Sequence, residues 1–167
     1  VMPVEYLYRN ADQKGLVLDH YLGTGKTFTA LAFAEKYPQR HVYILAPRFL
    51  ESNWVLHIQK MGIKNTKRYH FVPLNNAPNI LNNKDLSNAI IFVDEVHRFV
   101  ERIKSPLEKS RASYSKLYEK IRSAFKILVL TGTPIFTDIS DIAYTVNLVA
   151  NKDILPFNER KFRDVFT

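Results

Sequence analysis

The chain has 167 residues, the size of one ordinary domain, long enough to bury roughly 70% of the surface its unfolded form exposes. It contains no cysteine, which excludes disulfide scaffolds, thiolate zinc sites and cysteine nucleophiles together. Apolar residues at 46% exclude a disordered chain, and 24 basic residues against 16 acidic ones give a net charge of +8 that points to a polyanionic partner.

In chain order, the first apolar run of strand length is Gly15 to Asp19 (GLVLD). It leads through His20, read as a packing residue, into Gly23-Thr24-Gly25-Lys26-Thr27, which opens a helix over Lys26 to Tyr37 that Pro38 closes. A glycine turn between strand and helix lets backbone N–H groups surround a phosphate, and the helix N-terminus adds partial positive charge. Lys26 is placed to reach β/γ-phosphates, and the Thr27 hydroxyl to ligate Mg²⁺. The full phosphate-loop pattern has a further glycine where this chain has His20.

His41 to Ala46 (HVYILA) is the second strand candidate, followed by a helix over Ser52 to Met61 that Gly62 ends. Asn75 to Asn88 holds six asparagines and reads as a surface loop with one helical turn. The third apolar run, Ala89 to Asp94 (AIIFVD), ends in Asp94-Glu95-Val96-His97. Two adjacent carboxylates at the end of a buried strand suit a metal shell, through Asp94, and the orientation or deprotonation of an attacking water, through Glu95. A helix is expected over Ser113 to Phe125, with Tyr114, Leu117, Tyr118, Ile121 and Phe125 on one stripe and Lys116 and Lys120 off it. From Arg98 to Lys126, nine basic residues minus three acidic ones give +6, most of the net charge. Lys116 and Lys120 are the candidates there for phosphate contacts; the bland alternative is a solvated helix face.

The fourth apolar run, Lys126 to Thr131 (KILVLT), exits through Leu130-Thr131-Gly132-Thr133-Pro134. Its two hydroxyls can hydrogen-bond an acidic motif on a neighbouring strand. A helix capped by Thr137 follows, and Asn158 is placed to cap a last one, with Phe157 and Phe162 as its hydrophobic staple. That helix has barely two turns before Thr167, so the sequence reads as cut from a longer protein. Apolar strand-length runs alternating with helical patterns predict an α/β domain whose sheet is mainly parallel, with helices on both faces. No apolar run approaches the ~18 residues of a membrane helix. A cytoplasmic or nuclear domain with no membrane partner is expected.

Taken together, GTGKT, DEVH and LTGTP resemble motifs I, II and III of the first RecA-like lobe of a superfamily 2 DExH-box helicase or translocase. The flavour is that of the Swi/Snf-type and large-DNA-virus branch, which includes the poxvirus-like transcription ATPases. Ala46 to Trp54 (APRFLESNW) resembles that branch's motif Ia, and Leu155 to Phe166 (LPFNERKFRDVF) the segment after motif III. The likeness runs from Gly15 to Phe166.

The resemblance implies a three-layer RecA-like P-loop NTPase domain, one lobe over residues 1–167, cut before a second lobe. Gly23, Thr24, Gly25, Lys26 and Thr27 would bind ATP, with Thr27 and Asp94 serving Mg²⁺ and Lys26, Asp94 and Glu95 serving catalysis. His97, Thr131 and Thr133 would couple hydrolysis to the grip on DNA or RNA, and Pro47 and Arg48 would touch its backbone. The second lobe is the first expected partner and transcription machinery a further one; a viral source would place the protein in host cytoplasm or virion. Two family features are missing: a threonine near His70-Phe71-Val72-Pro73-Leu74, and the adenine-reading glutamine, which would fall before Val1, since Gln13 lies too close to motif I.

The function expected is ATP-driven movement on nucleic acid by the two-lobe parent. The lobe alone would bind ATP weakly and hydrolyse it negligibly, because no second lobe supplies an arginine finger. Against a nucleotide kinase stand motif Ia and LTGTPI, which a kinase does not need. The remaining alternative is a non-catalytic nucleic-acid-binding or interaction module that keeps the P-loop fold.

Overall fold

The computed structural model describes residues 14–19, 25–132, 139–150, 155, 157 and 160. Five strands form one parallel sheet: β1 (Gly15–Asp19), β2 (Val42–Ala46), β3 (Tyr69–Pro73), β4 (Ile90–Asp94) and β5 (Lys126–Thr131). Their spatial order is β1-β5-β4-β2-β3. The central strands β4 and β5 are buried at every position, as continuous apolar runs in a doubly covered sheet must be.

Alternation along β4 and β5 divides the core in two. Ile91, Val93, Ile127 and Val129 face one cluster; Ile90, Phe92, Leu128 and Leu130 face the other. The second face is covered by α1 (Gly25–Glu35) and α2 (Glu51–Lys60), through Ala30, Leu31, Phe33, Trp54 and Ile58. The first is covered by α3 (Ala77–Leu81), α4 (Val96–Ile103), α5 (Glu108–Arg122) and α6 (Ile139–Ala150). These are the three layers expected of the sequence. Among the described residues no helix is long and apolar enough to cross a membrane.

The four apolar runs all become strands; β3 is a fifth, at the sheet edge. The asparagine-rich stretch does hold one short helix, α3, pinned to the sheet by buried Leu74, Ala77, Leu81 and Leu86. Helix α4 has no counterpart in the sequence reading. Helix α5 begins five residues before Ser113 and ends at Arg122, so Phe125 leaves the expected stripe. Phe125 packs on the other face, edge-on to Tyr37 at 5.1 Å, with the Arg40 guanidinium 3.5 Å above its ring. Phe157 lies 4.6 Å from the Tyr144 ring. His20, Gln13 and the expected caps Thr137 and Asn158 lie outside the described residues.

The basic stretch is not one surface. Lys104 forms a 2.7 Å ion pair with Asp141 that ties α4 to α6, and Arg122 and Lys126 are buried. Lys116 is exposed and Lys120 half-buried, both off the Tyr114/Leu117/Tyr118/Ile121 stripe. Helix α5 runs antiparallel to the strands. The Tyr114 hydroxyl donates to the Leu74 carbonyl just past the end of β3, while the Phe125 N–H beyond the helix donates to the Ala89 carbonyl at the start of β4.

Candidate nucleotide and nucleic-acid site

The C-terminal ends of β1, β5 and β4 lie side by side, and the motifs read from the sequence follow those ends. Helix α1 opens with Gly25 exposed and then buries Lys26 and Thr27. The Lys26 ammonium stands 3.8 Å from Asp94 Oδ1 and 3.7 Å from Glu95 Oε1, with only 9% of the side chain exposed. One cation thus sits between two carboxylates in a largely desolvated corner, where their attraction is far less screened than in water. Burial pushes the Asp94 carboxyl above its ordinary range, and the Lys26 charge and hydrogen bonds from the Trp54 indole and the Glu95 N–H pull it back.

Two backbone features keep this corner open. A side chain at Gly132, just past β5, would put its Cβ 3.2 Å from Lys26 Nζ and 4.0 Å from Glu95 Oε1. Glu95 is the one non-glycine with positive φ among the described residues, at φ 54° and ψ 55°. Left-handed backbone costs an L-residue roughly 1–2 kcal/mol, and such strain collects at functional sites. Here it turns the chain from β4 into α4 and sets the Glu95 carboxylate beside Lys26. His97, in the first turn of α4, holds Nδ1 3.5 Å from Glu95 Oε2 without a hydrogen bond.

Strand β5 separates the strand before the glycine turn from the strand that carries Asp94. Thr131 is buried opposite Asp19, and the Glu95 N–H donates to the Leu130 carbonyl. The threonine strand therefore touches both flanking elements. Gly23, Thr24 and Thr133 lie outside the described residues.

Carboxylate and hydroxyl oxygens in this corner are the hard donors Mg²⁺ takes, and Lys26 with the opening of α1 matches a polyphosphate. The residues fit Mg·ATP.

Pro47 and Arg48 follow β2 at the same edge of the sheet. Arg48 is exposed and stands 3.7 Å from Glu51. A cleft of about 210 Å³ lies beside them, lined among others by Phe49, Asn75, Arg98 and Arg102, and the Arg98 guanidinium lies 5.4 Å from the Phe49 ring centre. Lys116 and Lys120 are not brought to this cleft. Lys120 lies toward the opposite edge, where hydrogen bonds from Ser87, and then the Lys120 charge, hold the Asp85 carboxyl below its ordinary range.

Two contributors escape the sequence reading. Gly132 enters it only as part of a threonine motif, although a glycine after a buried strand often marks a close approach. Trp54 enters it only within motif Ia. Its indole N–H donates to Asp94 Oδ2 at 3.1 Å, an interaction that needs the packing of α2 on β4.

Residues 21–143 match the family described as ATPase family associated with various cellular activities (AAA). Among relatives, a candidate ATP-dependent RNA helicase, R563, of Acanthamoeba polyphaga mimivirus is 26% identical over 91% of this chain and 32% of its own length. The termination factor NPH-I homolog of African swine fever virus is 30% identical over 89% of this chain and 24% of its own. The early transcription factor 70 kDa subunit of Yaba monkey tumor virus is 26% identical over 90% and 25%. The chain thus spans between about a quarter and a third of these relatives.

The Sulfolobus solfataricus SWI2/SNF2 ATPase core, solved with double-stranded DNA, superposes with a TM-score of 0.61 at 18% identity, covering 98% of this chain and 37% of that one. The Pyrococcus furiosus Hef helicase domain gives 0.58 at 19%, covering 97% and 39%. The chain therefore shares its fold with a little more than a third of each of these two proteins.

Proposed function

The chain belongs to the AAA family of ATPases associated with various cellular activities, and from that premise we propose that it is the ATP-binding lobe of a nucleic-acid helicase or translocase. The observation that carries the reading is Lys26 held between Asp94 and Glu95 at one edge of the sheet. Residues 1–167 supply one half of a nucleotide cleft, and a second RecA-like lobe supplies the other.

In this reading Gly23, Thr24 and Gly25 wrap the phosphates with backbone N–H groups. Lys26 leaves its two carboxylates for the β/γ-phosphates, which are better-matched acceptors for its charge. Thr27 and Asp94 would hold Mg²⁺, which would supply charge neutralisation at the phosphates. With Lys26 drawn to phosphate, the Glu95 carboxylate is free to accept a proton from, or orient, the attacking water. His97, Thr131 and Thr133 sense that change: His97 beside Glu95, Thr131 on the strand between the two motifs.

Pro47 and Arg48 meet the phosphate backbone of DNA or RNA, and Lys116 and Lys120 are the further basic candidates on α5. The relatives' names join those proteins to helicase action and to viral transcription. We extend both to this chain, with transcription machinery as a partner and host cytoplasm or virion as the place of action.

The test is ATP hydrolysis by the two-lobe protein with and without nucleic acid. Stimulation by nucleic acid that Glu95→Gln abolishes, while ATP still binds, is the expected result. ATP binding with no hydrolysis under any condition would leave a non-catalytic module instead.

A further inference from the structure

Trp54 is the chain's single tryptophan, and it is 1% exposed. A buried indole N–H needs an acceptor, and a buried carboxylate needs donors. The structure joins the two needs. The indole donates to Asp94 Oδ2 at 3.1 Å, and its ring stacks on Phe92 at 5.6 Å, two residues earlier on the same face of β4. The other oxygen is left to different groups: the Glu95 N–H reaches Asp94 Oδ1 at 3.0 Å, and Lys26 stands 3.8 Å from it. The two carboxylate oxygens are therefore divided between the core and the open corner.

We infer that Trp54 is a positioning residue for Mg·ATP, its indole N–H fixing Asp94 so that Oδ1 faces the metal. The indole holds Oδ2 and the Glu95 N–H holds Oδ1, so the carboxylate is fixed against rotation about its Cβ–Cγ bond and Oδ1 keeps one direction toward the corner. Outer hydrogen bonds of this kind typically change metal affinity by about 10–100-fold when removed. Helix α2 also starts directly after the turn Arg48–Leu50, so the helix that fixes Asp94 is continuous with the segment placed at the nucleic-acid path.

The inference rests on the proposed reading of Asp94 as a Mg²⁺ carboxylate, and the experiment separates the two. Binding of a fluorescent ATP analogue to this chain is titrated with Mg²⁺, and Mn²⁺ uptake with ATP is followed by electron paramagnetic resonance. Trp54→Phe keeps a ring on Phe92 and removes the donor. Benzothienylalanine at position 54, an isostere with sulfur in place of the N–H, keeps the full bicyclic shape where phenylalanine would leave a gap.

Both variants are expected to need about tenfold more Mg²⁺ or Mn²⁺ for half-saturation. Nucleotide binding in excess chelator should stay within twofold of the parent chain, a pattern that loosened packing alone would not produce. Asp94→Asn is expected to lose the metal dependence. If it does, and both position-54 variants titrate like the parent, Trp54 is merely a satisfied core residue and the inference is overturned. If Asp94→Asn also titrates like the parent, Asp94 is not a metal carboxylate, and both readings fall together.

Discussion

In the proposed reading nucleotide and protein compete for Lys26, whose ammonium already has two carboxylates at 3.8 and 3.7 Å. A phosphate must offer more than that pair, and a charge-assisted hydrogen bond is worth roughly 1.5–3 kcal/mol. Lys26→Ala is therefore expected to weaken ATP binding about tenfold or more, read by titration calorimetry. Unchanged affinity would remove the phosphate-loop assignment. Glu95 offers a second, independent prediction at this scale. Its left-handed backbone favours glycine by roughly 1–2 kcal/mol, against about 0.5–1 kcal/mol of extra entropy that glycine loses on folding. Glu95→Gly should accordingly leave the melting temperature unchanged or slightly raised while removing hydrolysis in the two-lobe protein. A clear loss of stability would mean that the carboxylate is held for the fold and not for chemistry.

Between residues and fold stand the elements, and α1 is fixed at its far end by a side chain from outside it. Arg68, buried just before β3, donates to the carbonyls of Ala34, Tyr37 and Arg40, and stands 3.2 Å from Glu35. The Ala34 and Tyr37 carbonyls each also accept a backbone N–H, and a carbonyl has two lone pairs, so the guanidinium fork adds a second donor to both and ties the helix end to the turn that follows. Arg68→Ala is expected to cost roughly 1–3 kcal/mol, seen as a lower urea midpoint, since it removes three charge-assisted hydrogen bonds to carbonyls and the contact with Glu35. The edge pairing of β2 with β3 carries a pH dependence. His70 stacks on Tyr43 at 4.9 Å, and its Nε2 lies 2.8 Å from His41 Nδ1. Burial first, then the charges of His41 and Lys84, hold the His70 imidazole below its ordinary value. The unfolded chain therefore takes this proton first. Stability from His70 is complete above the ordinary value near 6.5 and is lost as pH falls through the lowered one. Melting temperatures from pH 8 to 5 should fall less steeply in His70→Gln; parallel curves would exclude His70 as the source.

These elements also show what a sequence reveals. The four apolar runs are legible because a strand packed on both faces is apolar throughout, and even β1, at the sheet edge, sets Val17 against one core cluster and Leu16 and Leu18 against the other. Strand β3 is not among them because its first three residues are only half-buried at the sheet edge. Helix α4 carries an apolar stripe at Val96, Phe99, Val100 and Ile103 but begins at a left-handed glutamate with no side-chain cap to mark its start, and α5 starts earlier than its pattern suggests because its first turns carry no apolar stripe. The chemistry at Lys26, Asp94 and Glu95 can be read from local order alone. The partners that set its geometry, Trp54 and Gly132, arrive from other elements, and only packing brings them there.

At the scale of the whole molecule, the site lies at one edge of a single sheet, so half of any nucleotide would face outward. Removing an arginine finger costs ~10³–10⁵ in phosphoryl-transfer rate. These 167 residues alone should therefore hydrolyse ATP negligibly, with or without nucleic acid, and the second lobe should restore the rate. Brisk turnover by the isolated chain would show a complete site within it. The same edge carries exposed Arg48 and Arg98, with Phe49 under the Arg98 guanidinium, whereas Lys120 lies toward the other. Charges farther than about 10 Å from a phosphate are largely screened at ordinary salt, so the edge decides which basic groups count. Removing one cation from a phosphate flattens the log–log salt dependence by about 0.7 for a single strand and 0.9 for duplex. Arg48→Glu with Arg98→Glu is expected to flatten it by about 1.4 to 1.8, without change in ATP affinity, read by fluorescence anisotropy on the two-lobe protein. Lys116→Glu with Lys120→Glu should change the slope less. An effect of the lysine pair as large as that of the arginine pair would route the nucleic acid across α5 instead of along the strand ends.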